Sequence, residues 1–159
     1  MGFLTGKTAI ITGGGRAVLS NGECGSIGYG IATAYAKEGA NLVLTGRNVQ
    51  KLTDAKEELE KKYGIKVLPV QADVSAGSDN EAIVQNVVKQ AIDTFGRIDV
   101  LINNAQASAS GVTIADHTTE QFDLAVYSGL YAAFYYMKAC YPYPVSYTHL
   151  RAHETLANL

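Results

Sequence analysis

Glycines, an arginine, an aspartate and paired asparagines stand in this chain where apolar runs end, and these residue types suit recognition of a nucleotide and its phosphates. Thr8-Ala9-Ile10-Ile11-Thr12 leads into Gly13-Gly14-Gly15, and Gly25-Ser26-Ile27-Gly28-Tyr29-Gly30 leads into Ile31-Ala32-Thr33-Ala34-Tyr35-Ala36. Glycine lets the main chain approach a pyrophosphate closely, and a helix starting there offers free amides and the positive end of its dipole. A β-branched run, a glycine turn and an alanine-rich helix make the opening of a dinucleotide-binding βαβ unit. Gly13, Ser26, Ile27 and Gly28 are the contacts expected from that turn. Gly46-Arg47, Asp73-Val74 and Asn103-Asn104-Ala105 then close the next three apolar runs in order.

The first of these later groups bears on which dinucleotide is bound. A site for NAD places Asp or Glu about 20 residues beyond the glycine motif, to bond the ribose hydroxyls. This chain has Thr45-Gly46-Arg47 at the end of the second run instead. No acid repels a 2′-phosphate there, and the Arg47 guanidinium offers it a charge-assisted bond of roughly 1.5–3 kcal/mol. NADP is therefore the expected cofactor in preference to NAD. Arg16, in the same glycine segment, is a second candidate cation.

Such groups work together only if strand ends meet. Strand patterns fall at about 7–12, 41–45, 66–71 and 98–103, each a nearly continuous Val, Ile or Leu run of the kind covered by helices on both faces. Helical patterns fall at about 27–38, 49–63, 79–95 and 119–139. Gly39, Gly64 and Gly96 end the first three, and Asn48, Ser78 or Asp79, and Thr118 or Thr119 are candidate N-caps for the later ones. Regular βα alternation with short connections predicts a Rossmann-like, doubly wound parallel α/β sheet. Tyr127, Tyr131 and Tyr135 recur at i, i+4, which predicts core packing or a helix–helix dimer face rather than a substrate wall.

Composition narrows the class. With 47% apolar residues, 18% charged residues and a net charge of −2, the chain can bury a core and has no basic patch for nucleic acid. Two cysteines, Cys24 and Cys140, give no disulfide framework. There is no leader pattern and no apolar stretch long enough for a bilayer, so a cytoplasmic protein without membrane contact is expected. Gly2-Phe3-Leu4-Thr5-Gly6-Lys7-Thr8 has too few residues between its glycines for a Walker-type loop and precedes a strand where it should follow one.

The motifs in this order resemble the short-chain dehydrogenase/reductase family, and the likeness runs from the N-terminus to about Tyr143. Thr12-Gly13 and Gly28 resemble that family's cofactor glycine motif. Asp73 resembles the aspartate whose carboxylate receives the adenine amino group, with Val74 beside it. Asn103-Asn104-Ala105 resembles the stretch that steadies the central strand and passes beneath the cofactor, which adds Asn104 and Ala105 to the expected contacts. The resemblance implies an NADP-dependent oxidoreductase acting on a carbonyl/alcohol pair of a small molecule, and a full-length protein that is a homodimer or homotetramer. It also implies that the catalytic serine and a tyrosine–lysine pair spaced four apart lie downstream. Tyr141 and Tyr143 have no lysine four residues on, so no catalytic residue is assigned within this chain.

Three features depart from the family pattern. Arg16 to Cys24 lengthens the glycine loop, and Ser26 stands at the usual middle glycine, a serine–isoleucine turn similar to the divergent enoyl reductase branch. Gln106 replaces the glycine that commonly follows Asn-Asn-Ala. Gly129 holds the place of an asparagine that assists a proton relay, leaving Ser128 or a water to substitute. An enoyl reductase and a non-catalytic NADP-binding protein therefore stand as alternatives. A bulky hydroxylated ring such as a steroid is the substrate suggested by the tyrosine-rich helix and Gln106-Ala107-Ser108-Ala109-Ser110.

After Tyr143 the patterning stops. Pro144-Val145-Ser146-Tyr147-Thr148-His149-Leu150-Arg151-Ala152-His153-Glu154-Thr155 coincides with one frame of a transposase sequencing adapter, CTGTCTCTTATACACATCT continued by CCGAGCCCACGAGAC, after an insert base C. Residues 1–143 are thus expected to form an incomplete dinucleotide-binding domain, truncated after the fourth strand and its following helix. Residues 144–159 are expected to be a non-native tail. His149, His153 and Glu154 would otherwise suggest metal ligation, and no metal site is assigned.

Overall fold

The apolar runs become strands because helices cover both of their faces. The computed structural model describes residues 2–75 and 77–143. Its order is β1 (Thr8–Thr12), α1 (Ile27–Lys37), β2 (Asn41–Gly46), α2 (Val49–Tyr63), β3 (Val67–Gln71), α3 (Asn80–Phe95), β4 (Val100–Ile102), α4 (Thr119–Ala125) and α5 (Ala132–Cys140). The four strands are parallel in the order β3-β2-β1-β4, the front half of a Rossmann-like sheet. Pro69 sits in β3, which pairs only with β2, so its missing N–H falls on the sheet edge.

Local chemistry explains most boundaries. Asn48 caps α2 by accepting from Lys51 N, and Thr118 and Gln121 form a reciprocal capping box on α4. Gly64 and Gly96 end α2 and α3 in the left-handed conformation. Asp79 occupies the cap position of α3 without a side-chain bond, because a 3-10 turn at Gly77–Asp79 leads into the helix. The lengthened glycine loop folds back on itself through a Val18–Cys24 bridge.

Two elements differ from expectation. β4 is shorter than the 98–103 pattern because side chains finish its ladder at both ends. Asp99 takes the Thr8 N–H at 2.9 Å, and the Thr12 hydroxyl takes the Asn104 and Ala105 N–H groups at 2.9 Å each. The last helix is not a single α-helix, since Val126–Tyr131 is a π-turn joining α4 to α5. Such turns occur often at functional sites.

The sheet carries a core on each face. Ile11, Leu42 and Leu44 pack with Ala32, Ala36, Leu52 and Leu59 of α1 and α2. Ile10, Val43 and Leu101 pack with Val84, Val87 and Ala91 of α3 and with Tyr136 and Cys140 of α5. The tyrosine of the last helix that enters the core is Tyr136. Tyr127 and Tyr131 lie exposed, with the Tyr131 ring tilted against both Tyr127 and the half-buried Tyr135, which removes the core-packing half of the expectation for these two and leaves the helix–helix face. Cys24 and Cys140 are free thiols. Among the described residues, no helix is long and apolar enough to cross a membrane. The His149, His153 and Glu154 reading and the proposed tail lie outside the described residues.

Candidate functional site

The carboxyl ends of the four strands form one crevice, and the residues singled out from sequence converge on it. Gly13 follows β1 with φ +71°, a conformation that favours glycine. Its N–H and that of Gly14 donate to Thr45 O at 2.8 and 3.1 Å, binding the glycine turn to the end of β2. Gly28 enters α1 directly beneath it. A Cβ there would fall 2.2 Å from Gly13 O and 2.6 Å from Asn104 Nδ2, so only glycine lets helix, turn and β4 loop meet. Ser26 caps α1 through Tyr29 N, leaving the first amides of a helix with no acidic residue in its first turn directed at the crevice.

Asn104 is held on three sides. Its N–H donates to the Thr12 hydroxyl, its Nδ2 donates to Thr12 O at 2.9 Å, and Ala105 N donates to the same hydroxyl. Thr12, named from sequence only as part of the glycine motif, therefore fixes Asn104 and Ala105 against β1. Asp73 and Val74 leave β3 on the other side. Ser75 occupies Asp73 Oδ1 through both its amide and its hydroxyl, and among the described residues no side chain or amide bonds Oδ2. Burial alone would raise the Asp73 pKa, but the Ser75 bonds and the Arg47 charge outweigh it and keep the carboxyl below its ordinary value.

Three hollows share these walls. A cavity of about 720 Å³ runs past Thr12, Ile27, Val74, Asn104, Gln106 and Ser128 to the flank of α5. One of about 280 Å³ lies between Gly13, Arg47, Asp73, Val74, Asn104 and Ala105. The third, about 250 Å³, lies between the glycine turn and the start of α2, where Gly13, Ser26, Arg47 and Lys51 meet. Each of Gly13, Ser26, Ile27, Arg47, Asp73, Val74, Asn104 and Ala105 lines at least one of them, and Gly28 packs the floor.

Two sequence expectations change at this point. Arg16 does not join Arg47, because its Nε donates to Glu58 Oε2 at 2.6 Å on the outer side of α2. That pairing holds the Glu58 carboxyl below its ordinary range. Tyr29, buried beside it, is pushed well above the ordinary phenol range by burial first and by Glu58 second. Ser128 is not a free hydroxyl either. It is buried, accepts from Ala107 N at 2.9 Å, and lies 2.7 Å from Leu124 O as donor. The side chain that lies against Gly129 is Gln106, whose Nε2 would be 3.6 Å from a Cβ at that glycine.

Sequence reasoning also missed Asn80, which is fully buried at the start of α3. Its Nδ2 donates to Val74 O at 2.6 Å and to Tyr127 O at 3.3 Å, tying the loop after β3 to the π-turn. Lys51, which lines the third hollow, was not singled out from sequence either. A lysine in the first turn of a helix, where acids are favoured, was the available signal.

The family model described as Enoyl-(Acyl carrier protein) reductase matches residues 22–149. A 12α-hydroxysteroid dehydrogenase from a Clostridium species is 64% identical over 143 residues, covering 90% of this chain and 52% of that protein. The L-sorbose reductase of Gluconobacter frateurii, crystallised with NADPH and L-sorbose, is 33% identical with a TM-score of 0.74, covering 89% of this chain and 48% of that one. A metagenomic short-chain oxidoreductase in complex with NADP is 26% identical with a TM-score of 0.75, covering 90% and 58% respectively. The chain spans about half the length of the curated relatives and solved structures it matches.

Proposed function

Since this chain belongs to the short-chain dehydrogenase/reductase family, we propose that the full-length protein is an NADP-dependent oxidoreductase for an alcohol/carbonyl pair. The chain described here would supply its cofactor-binding half. The observation that carries the reading is the end of β2, where Arg47 shares a hollow with the glycine turn and the Thr45-Gly46-Arg47 segment carries no acid. When bound, the nicotinamide would supply or accept hydride. The glycine turn and the first amides of α1 would take the pyrophosphate, and the open Asp73 Oδ2 would accept from the adenine amino group. Asn104 and Ala105, fixed by Thr12, would support the cofactor from beneath. Proton transfer to the substrate oxygen is assigned to groups beyond Tyr143 in the full-length protein. Residues 144–159 are read as translated adapter, so recovery of the uninterrupted reading frame tests both statements at once.

The relative named for a 12α-hydroxysteroid supports a hydroxysteroid as the first substrate to try. The broad cavity between Ile27, Val74 and α5 leads away from the cofactor hollows on the side where such a ring would have to approach. The description of the matching family model and the Ser26-Ile27 turn favour a second reading, reduction of a carbon–carbon double bond. Assaying the full-length protein with NADPH against a 12-oxo-steroid and an enoyl thioester separates the two. Arg47→Asp should cost NADPH binding about 10- to 100-fold, from a charge-assisted bond of roughly 1.5–3 kcal/mol. A protein that prefers NADH and is indifferent to that substitution overturns the NADP reading.

A further inference from the structure

The smallest of the three hollows holds a charge arrangement that helix chemistry alone does not explain. The first turn of α2 has no acidic residue and carries Lys51, with Arg47 just before the Asn48 cap. Cations at a helix N-terminus oppose the dipole, so this turn is electrostatically uphill as it stands. Neither side chain has an acidic partner within salt-bridge distance among the described residues. The nearby acids are committed elsewhere, Glu58 to Arg16 and Asp54 to Gln50. Asp73 acts on Arg47 only through its charge.

The glycine loop is built around Lys51. Arg16 N donates to Lys51 O at 2.8 Å, and a Cβ on Gly15 would come within 3.1 Å of Lys51 Cβ. The absence of a side chain at Gly15 therefore lets the lysine rise directly beside the turn. Arg16 is the only cation between Gly13 and Ser26, and its guanidinium is turned out to Glu58. Lys51 is left to line the hollow together with Arg47.

We propose that Lys51 is a second specificity-determining residue, which with Arg47 forms a two-cation cradle for the 2′-phosphate on the adenosine ribose of the cofactor. A dianionic phosphomonoester relieves the repulsion between the two side chains and satisfies the unfavourable helix turn in one contact. A 2′-hydroxyl does neither. This rests on the NADP reading above and extends it from Arg47 to a residue one helical turn further on.

The test is cofactor binding to the full-length protein, read by titration with NADPH and NADH and by competition with adenosine 2′,5′-bisphosphate and adenosine 5′-phosphate. Lys51 is exposed, so Lys51→Gln leaves the fold intact and Lys51→Arg keeps the charge. Lys51→Gln should weaken NADPH and the 2′,5′-bisphosphate about tenfold and leave NADH and the 5′-phosphate within twofold, and Lys51→Arg should restore most of the loss. Equal weakening of all four ligands would mean that Lys51 only braces the glycine loop, and would overturn the proposal. An unchanged profile overturns it too, while Arg47 stands. A parent protein with no preference for NADPH removes the NADP reading itself, and the cradle with it.

Discussion

The two faces of the sheet are finished to different degrees. Under α1 and α2, Ile11, Leu42 and Leu44 meet Ala32, Ala36, Leu52 and Leu59, all nearly inaccessible to solvent. Under α3 and α5 the inner layer is equally tight, with Tyr136 fully buried. The outer side of α4, the π-turn and α5 instead presents Phe122 at 60%, Leu130 at 69% and Phe134 at 51% exposure. Tyr135, between them, folds partly back against the core. The closed face carries the glycine turn, with Arg47 and Lys51 beside it. The open face adjoins the cavity lined by Ser128, Gly129, Ala132 and Ala133. The chain thus packs the face beside the glycine turn fully while large apolar side chains stay uncovered on the other, and it spans about half the length of the relatives it matches.

The largest expected consequence follows from that open side. With NADPH and a carbonyl substrate, the 159-residue chain should give no measurable reduction, whereas the full-length protein should turn over. It should also self-associate, because β4 is an edge strand among the described residues and Phe122, Leu130 and Phe134 lie wet along the last helical segment. Burying such groups is worth about 1.5–3 kcal/mol each, set against a typical domain stability of about 5–15 kcal/mol. Sedimentation and a thermal melt of the purified chain check this. A cooperative monomer would show that the open face needs no cover, and measurable turnover would place the chemistry within these residues.

Much of the closed face was legible from sequence because its chemistry is local. Gly13, Gly28, Asn48 and Gly64 announce a turn, a close approach, a cap and a helix end by residue type alone. The bounds of α2 coincide with the expected 49–63, and the β3-β2-β1-β4 order follows from βα alternation. What sequence could not supply was long-range pairing. Arg16 turns toward Glu58 only because α2 lies there, and Ser128 is consumed by Ala107 only because the π-turn brings them together. The π-turn itself has no signature in a continuous apolar pattern. Asn80 was invisible for the same reason, as one of its two carbonyl partners, Tyr127, lies 47 residues along the chain.

Asp99 tests how far the sheet depends on a single buried group. Its carboxylate accepts from Thr8 N at 2.9 Å and from Arg97 Nε at 2.7 Å, and lies 3.2 Å from Lys7 Nζ. Burial alone would raise its pKa, but Arg97, the Thr8 amide and Lys7 together hold it below the ordinary aspartate value. The folded pKa is depressed, so its contribution is present above the unfolded value of about 3.9 and is lost as pH falls through the folded one. Asp99→Asn in the full-length protein should cost about 2–4 kcal/mol at neutral pH and flatten the acid limb of the stability profile below about pH 4. An unchanged limb would mean that Lys7 and Arg97 find other partners.

One substitution made on both faces gives the sharpest comparison. Leu59 on α2 is 1% exposed and Leu130 in the π-turn is 69% exposed. In a buried site Leu→Ala removes contacts and leaves a cavity, at about 2–5 kcal/mol. On a solvated surface the same change stays within about 0.5 kcal/mol. Denaturant melts of Leu59→Ala and Leu130→Ala should therefore separate widely in the 159-residue chain. In the full-length protein the gap should narrow from the Leu130 side, because a surface supplied by the remaining chain or by a second copy would enclose that residue. If Leu130→Ala stays neutral there too, the outer side of the last helix is ordinary solvent-facing surface, and the asymmetry between the two faces is a property of the fold rather than of a missing neighbour.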